Sequence, residues 1–180
     1  MRRLMRLAAA CVALAVVVSS TWGCRRSQRP KVETIEEEGA PLASMVRTSD
    51  PRHAIQLIKG FYDIEQGGWR WTAGRFSVNI KVPAGAAKRG AVLELNFSLP
   101  EPVLARVKST MLGAKVGSVT LEPETYTTTG SHTYSREVPV SALGGEVVAV
   151  EFSMDKFLAA GAVEQRELGV VVTTIELRLK

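Results

Sequence analysis

Two histidines and two cysteines set the range of chemistry open to this 180-residue chain. Triad hydrolysis needs a nucleophile, an imidazole base and an orienting carboxylate. The only imidazoles are His53 and His132, and Ser131, His132 and Asp155 can be grouped on paper alone, because no G-x-S-x-G occurs and nothing local supports the grouping. Zinc would require clustered Cys and His ligands, which the spacing does not supply. Asp50, Asp63 and Asp155 are the only aspartates and form no EF-hand or Asp-rich loop, so no calcium site is expected. Carboxylate pairs for glycoside hydrolysis would have to come from Glu122, Glu124, Glu137 or Glu151. Glu122 and Glu124 flank Pro123 in a turn-like stretch and read as surface charge. The expectation is a non-enzyme with neither metal nor cofactor.

Aromatic residues offer a second kind of chemistry. Trp69 and Trp71 are two apart, so on a strand they share a face, and paired indoles make either a core layer or a flat platform for a sugar ring. Tryptophan's area drives burial whatever the ligand, which favours the core. Tyr62, Trp69 and Trp71 are the candidate ligand-binding set, and Arg70 would face the other way.

The elements that must carry these residues are mostly strands. Ser49 or Asp50 before Pro51 is a helix-start signal, and a short helix through Lys59, stopped at Gly60, would turn Ile55 and Ile58 toward the domain. From Phe61 the period becomes two. Phe76, Val78, Ile80 and Val82 alternate with Ser77, Asn79 and Lys81; Leu93, Leu95, Phe97 and Leu99 alternate with Glu94, Asn96 and Ser98. Val148 to Phe152, Ile175 to Leu179 and His132 to Val140 follow less strictly. Arg136 shares parity with Tyr134 and Val138, which puts a charge on an apolar face unless a bulge near Ser135 or a partner carboxylate intervenes. Breakers separate the runs at Pro83 to Gly90, Pro100 to Pro102, Gly117-Ser118, Thr129 to Ser131, Gly144-Gly145 and Ala159 to Gly161. No internal repeat occurs. Antiparallel strands with one polar face each predict a mainly β, two-sheet sandwich with one short N-terminal helix.

Residues 1–23 have the order of an export signal: Arg2, Arg3 and Arg6, then the 12-residue apolar run Leu7 to Val18, then Ser19, Ser20 and Thr21. The run is short of the about 20 residues that span a bilayer. Residues 24–48 pass from basic to acidic to Gly39 and Pro41, with too few large apolar residues for a core; they read as a flexible tether or a solvated strap ahead of a domain at 49–180. The formal charge of +5 is spread over these parts, and residues 49–180 hold 15 Lys+Arg against 14 Asp+Glu. No basic field remains on the domain to release counterions, so nucleic acid is excluded as a partner.

Two resemblances add to this reading. Thr21-Trp22-Gly23-Cys24 resembles the lipobox of bacterial lipoproteins, and Cys24 is the only cysteine left once Cys11 departs with the leader, so it has no disulfide partner in the chain. The resemblance implies a lipid on Cys24 and a membrane-anchored envelope location; soluble secretion into the periplasm or beyond, and an uncleaved anchor, stay open. Gly60-Phe61-Tyr62 with Glu65, then Trp69 to Thr72, the alternating stretch Arg75 to Val82, and Arg166 to Gly169 resemble the jelly-roll, galactose-binding-like or carbohydrate-binding-like sandwich domains of bacterial envelope proteins. That pattern implies an ion pair between Glu65 and Arg166 tying the first strand to the last, with reversal at both positions restoring folding lost by either single reversal. It also implies a non-catalytic module for an envelope glycan or a glycan-handling complex. The competing function is an assembly scaffold that binds another envelope protein.

Overall fold

The computed structural model describes residues 41–66, 68–161 and 164–180. The export signal, Cys24 and the tether through residue 40 lie outside the described residues. Among the described residues ten strands run in chain order: β1 (Met45–Arg47), β2 (Leu57–Glu65), β3 (Trp69–Lys81), β4 (Ala91–Leu99), β5 (Thr110–Val116), β6 (Val119–Thr120), β7 (Glu124–Tyr126), β8 (Gly130–Val138), β9 (Val147–Met154) and β10 (Val171–Leu179). Two short helices, α1 (Ala86–Arg89) and α2 (Glu101–Val107), and 3-10 turns at Pro51–Gln56 and Val140–Ala142 fill connections. Every strand pair among these is antiparallel.

Alternation shows most plainly in β4. Ala91, Leu93, Leu95, Phe97 and Leu99 are buried while the residues between them are half-exposed. A one-residue slip would turn this whole set to water, so the register with β8 holds unbroken from Ala91 opposite Val138 to Leu99 opposite Gly130. β1, β10, β4 and β8 form one layer. The other runs from β3 through β9 to β5, with β6 and β7 along the far edge of β5.

β3 belongs to both layers. Its start pairs with β10, Trp71 opposite Val171, and its end pairs with β9, from Arg75 opposite Ser153 to Lys81 opposite Val147. The sandwich is thus one antiparallel sheet curled on itself through β3, with β2 along that strand's other side. The β2 to β3 register shifts repeatedly, and Gly60 sits at one shift with φ +75. A Cβ there would lie 2.1 Å from the Arg75 carbonyl oxygen, so this bend admits only glycine. Inside, Phe76 stacks on Phe152 at 4.9 Å and takes the edge of Phe61 at 5.4 Å, which joins β2, β3 and β9.

Three expectations need correction. The helix through Lys59 is a 3-10 turn that ends at Gln56; Asp50 caps it as expected, accepting from the Arg52 N–H, but residues from Leu57 are captured by β3. Ile55 and Ile58 face water, 63% and 55% exposed, and the buried residue is Gln56. Its amide donates to the Ala43 and Asn79 carbonyls at 2.9 and 2.7 Å and accepts the Ala43 N–H at 2.9 Å, so it is held by backbone partners that no apolar pattern reveals. The tether reading also runs too far. Met45–Arg47 adds to β10, Val46 and Thr48 are buried, and the Thr48 hydroxyl donates to the Val172 carbonyl at 2.6 Å. Finally, α2 begins where Pro100 to Pro102 read as a break, because proline is tolerated in the first turn of a helix.

Candidate functional site

The residues singled out by sequence gather where β3 leaves β2 and meets the segment before β10. Arg166 Nη1 donates to Glu65 Oε1 at 2.7 Å, and its Nε and Nη2 donate to the Glu164 carboxylate at 3.0 Å. Its guanidinium also lies over the Tyr62 ring, 5.3 Å from the centroid. Those bonds hold the Glu164 carboxyl down at about 2, the Arg166 side-chain hydrogen bond being the main cause, and raise Arg166 above its ordinary range.

Neighbouring residues complete a tie between the chain's two halves. The Tyr62 hydroxyl donates to the Glu167 carbonyl at 2.8 Å, and Glu167 Oε1 accepts the Gly74 N–H at 2.7 Å. Arg70 donates to the Thr48 and Tyr62 carbonyls. Phe157 fills the space over Gly74, where a Cβ would come within 2.1 Å of its ring. Trp71 packs against the core and Trp69 stands opposite Glu65 at the strand end, both half-buried. The cluster spends its polar groups on the fold. Tyr62 has its hydroxyl bonded and its ring under Arg166, so it offers no free platform.

Arg136, the charge on an apolar face, is resolved by a carboxylate and not by a bulge. Glu124 Oε2 lies 2.9 Å from Nη1, while Nε donates to the Glu122 carbonyl at 2.8 Å. Its guanidinium caps the ring of Tyr134 at 4.7 Å. Tyr126 and Tyr134 are buried here, and loss of water pushes both phenols up. His132 packs on Tyr126 and Phe97 with Nε2 2.9 Å from the Thr128 carbonyl oxygen. Asp155 instead accepts the Met111 N–H at 2.6 Å and the Thr110 hydroxyl at 3.3 Å. Among the described residues nothing joins Ser131, His132 and Asp155, and no group of three or more His, Cys, Asp or Glu is placed to hold a metal.

A concave site lies elsewhere, on the outer face of the second layer. The curl of β2, β3, β9 and β5 leaves an open trough of about 780 Å³. Small residues make its floor: Ser153 stands opposite Arg75 on one side and Gly113 on the other. Pro123 walls the β5 side, 3.7 Å from where a Gly113 Cβ would stand. A row in register crosses it, Ser77, Glu151, Lys115 and Thr120 from β3, β9, β5 and β6, and Lys59 of β2 stands opposite Ser77 between two register shifts. Hydroxyls, carboxylates and cations therefore face one space, which suits a ligand rich in hydroxyl groups. Tyr62, Trp69 and Trp71 do not line it. The signal that could have found it is the polar half of each alternating strand, but only once the strands are placed side by side.

No family model matches the chain, and no curated protein matches it. Among solved structures, the CBM36-1 domain of a multidomain xylanase from the hindgut metagenome of Trinervitermes trinervoides is similar, with 11% identity and TM-score 0.39, covering 73% of this chain and 94% of that one. A structure titled "CBM4 structure and function" is similar at 11% identity and TM-score 0.36, covering 76% and 85%. At such scores the fold assignment rests on strand pairing alone: the chain carries an antiparallel β-sandwich domain.

Proposed function

We propose that this chain is a non-catalytic, exported module, anchored through lipid on Cys24, whose sandwich holds a cell-envelope glycan, or a complex that handles one, in the trough of its second layer. The observation that carries the reading is the trough itself: a concave, solvent-open surface with a floor of small residues and a register-locked row of hydrogen-bonding side chains. Sugar hydroxyls both donate and accept, and the row offers both. Nothing in it is arranged as a nucleophile with a base, so binding is the whole task assigned to it.

Retardation of the full-length chain in gels cast with envelope polysaccharides tests this. The reading expects retention on at least one polymer, lost when Ser153→Tyr fills the floor at unchanged Tm; migration unaffected by every polymer would remove it. Anchoring is tested apart from binding, since Cys24→Ser should move the protein from the membrane to the soluble fraction. Unchanged membrane partition would favour an uncleaved anchor.

The scaffold reading has one observation in its favour. Ile55, in the 3-10 turn ahead of β2, and Ile58, the second residue of β2, stand exposed. A protein partner covering them would be lost with Ile55→Asp and Ile58→Asp while polysaccharide retention stayed.

A further inference from the structure

Cations are distributed unevenly in the trough, and this names a class of glycan. Lys59 stands opposite Ser77, Arg75 lies two residues along the same face of β3, and both line the trough on its β2 and β3 side. Neither forms an ion pair among the described residues, nor does Lys115 across the trough. Four arginines outside the trough are paired, Arg52 with Asp50, Arg136 with Glu124, Arg166 with Glu65 and Arg178 with Glu94, while Arg47, Arg70, Arg89 and Arg106 form no ion pair among the described residues. An anion entering the trough meets cations that have no ion-pair partner among the described residues.

The trough also holds two carboxylates, and Glu151, directly opposite Lys115 and one diagonal step from Arg75, leaves the balance at three cations, Lys59, Arg75 and Lys115, to two carboxylates. Glu151 sits between Ser77 and Lys115 in register, and Asp155 is tied to the start of β5 through the Met111 N–H and the Thr110 hydroxyl. Strands are about 4.8 Å apart, so Lys59 and Lys115, three strands distant, bracket roughly 14 Å of surface. Ser77 and Glu151 between them can meet sugar hydroxyls, while a carboxylate or sulfate at each end meets a cation. Arg75 presents a planar fork suited to either anion.

We infer that the trough selects an anionic polysaccharide, read at the β2 and β3 wall by Lys59 and Arg75 and at the β5 side by Lys115. This rests on the glycan reading above, and the experiment separates the two. Full-length chain is run in affinity gels containing a polyuronate, the same polymer with its carboxyls reduced to alcohols, and a sulfated galactan. Retention is expected on the polyuronate or the sulfated galactan, at least about tenfold weaker on the reduced polymer, and weakened about tenfold by Arg75→Gln or Lys59→Gln. Both side chains are exposed, so unchanged Tm in these variants shows that folding is not the cause. Raising salt to 1 M should weaken retention further, since the screening length falls to about 3 Å. Equal retention on native and reduced polymer, or full retention by both variants, overturns the anionic inference and leaves glycan binding standing. No retention on any of the three removes both.

Discussion

Arg166 is the residue whose contacts differ most from the simple pair expected between first and last strands. It bonds Glu65, yet it also forks onto Glu164, so a reversal to glutamate at 166 would set one carboxylate against another. Double reversal with Glu65→Lys should therefore restore only part of the lost stability. Both members of the Glu65 pair are 37% exposed, which limits their coupling to about 0.2–1 kcal/mol. A cycle with Glu65→Gln and Arg166→Gln read by thermal melts checks this, and a coupling several times larger would show that the pair is not solvent-screened. Glu164 gives a second, independent reading. Its carboxyl is lowered from an ordinary 4.5 to about 2. The contact is therefore fully present above about pH 4.5 and is lost as pH falls toward 2. The Glu164 carboxyl carbon followed by NMR should titrate near 2 and move up in Arg166→Gln; a midpoint near 4.5 in the unaltered chain would contradict the fork.

At the scale of elements, what was legible is what alternates. The apolar positions of β3, β4, β9 and β10 declare strands whose wet face is spelled out residue by residue, and their union into an antiparallel sandwich follows from short polar turns. β1 was not legible, because a three-residue strand carries no period and Met45–Arg47 is recruited by the backbone of β10. The 3-10 turn misled for a related reason: Ile55 and Ile58 match a helical spacing, while a buried amide decides the geometry. Gln56→Leu keeps the volume and removes the clamp, leaving the Ala43 N–H and the Ala43 and Asn79 carbonyls without that partner. It should cost about 2–3 kcal/mol in urea unfolding and speed amide exchange at Ala43 and Val46. A change under about 0.5 kcal/mol would show that water replaces the amide freely.

For the whole molecule, the candidate site arises from long-range register, which a single sequence does not display. Trp69, Trp71 and Tyr62 draw the eye as a sugar platform, but the Tyr62 hydroxyl and ring serve the joint between β2, β3 and the segment before β10, and Trp71 packs against the core. The trough is assembled from unremarkable serines, lysines and a glycine on strands far apart in the chain: Ser77 on β3, Gly113 on β5, Ser153 on β9. Among the described residues no helix is long and apolar enough to cross a membrane. Anchoring and glycan binding, as proposed, can be tested separately. The most direct test is the map of backbone amide shifts of the isotope-labelled full-length chain as a polyuronate oligosaccharide is added. Perturbations centred on Ser77, Gly113, Glu151 and Ser153 are predicted; shifts confined to Tyr62, Trp69 and Trp71, or none at saturating oligosaccharide, would contradict the trough as the binding site.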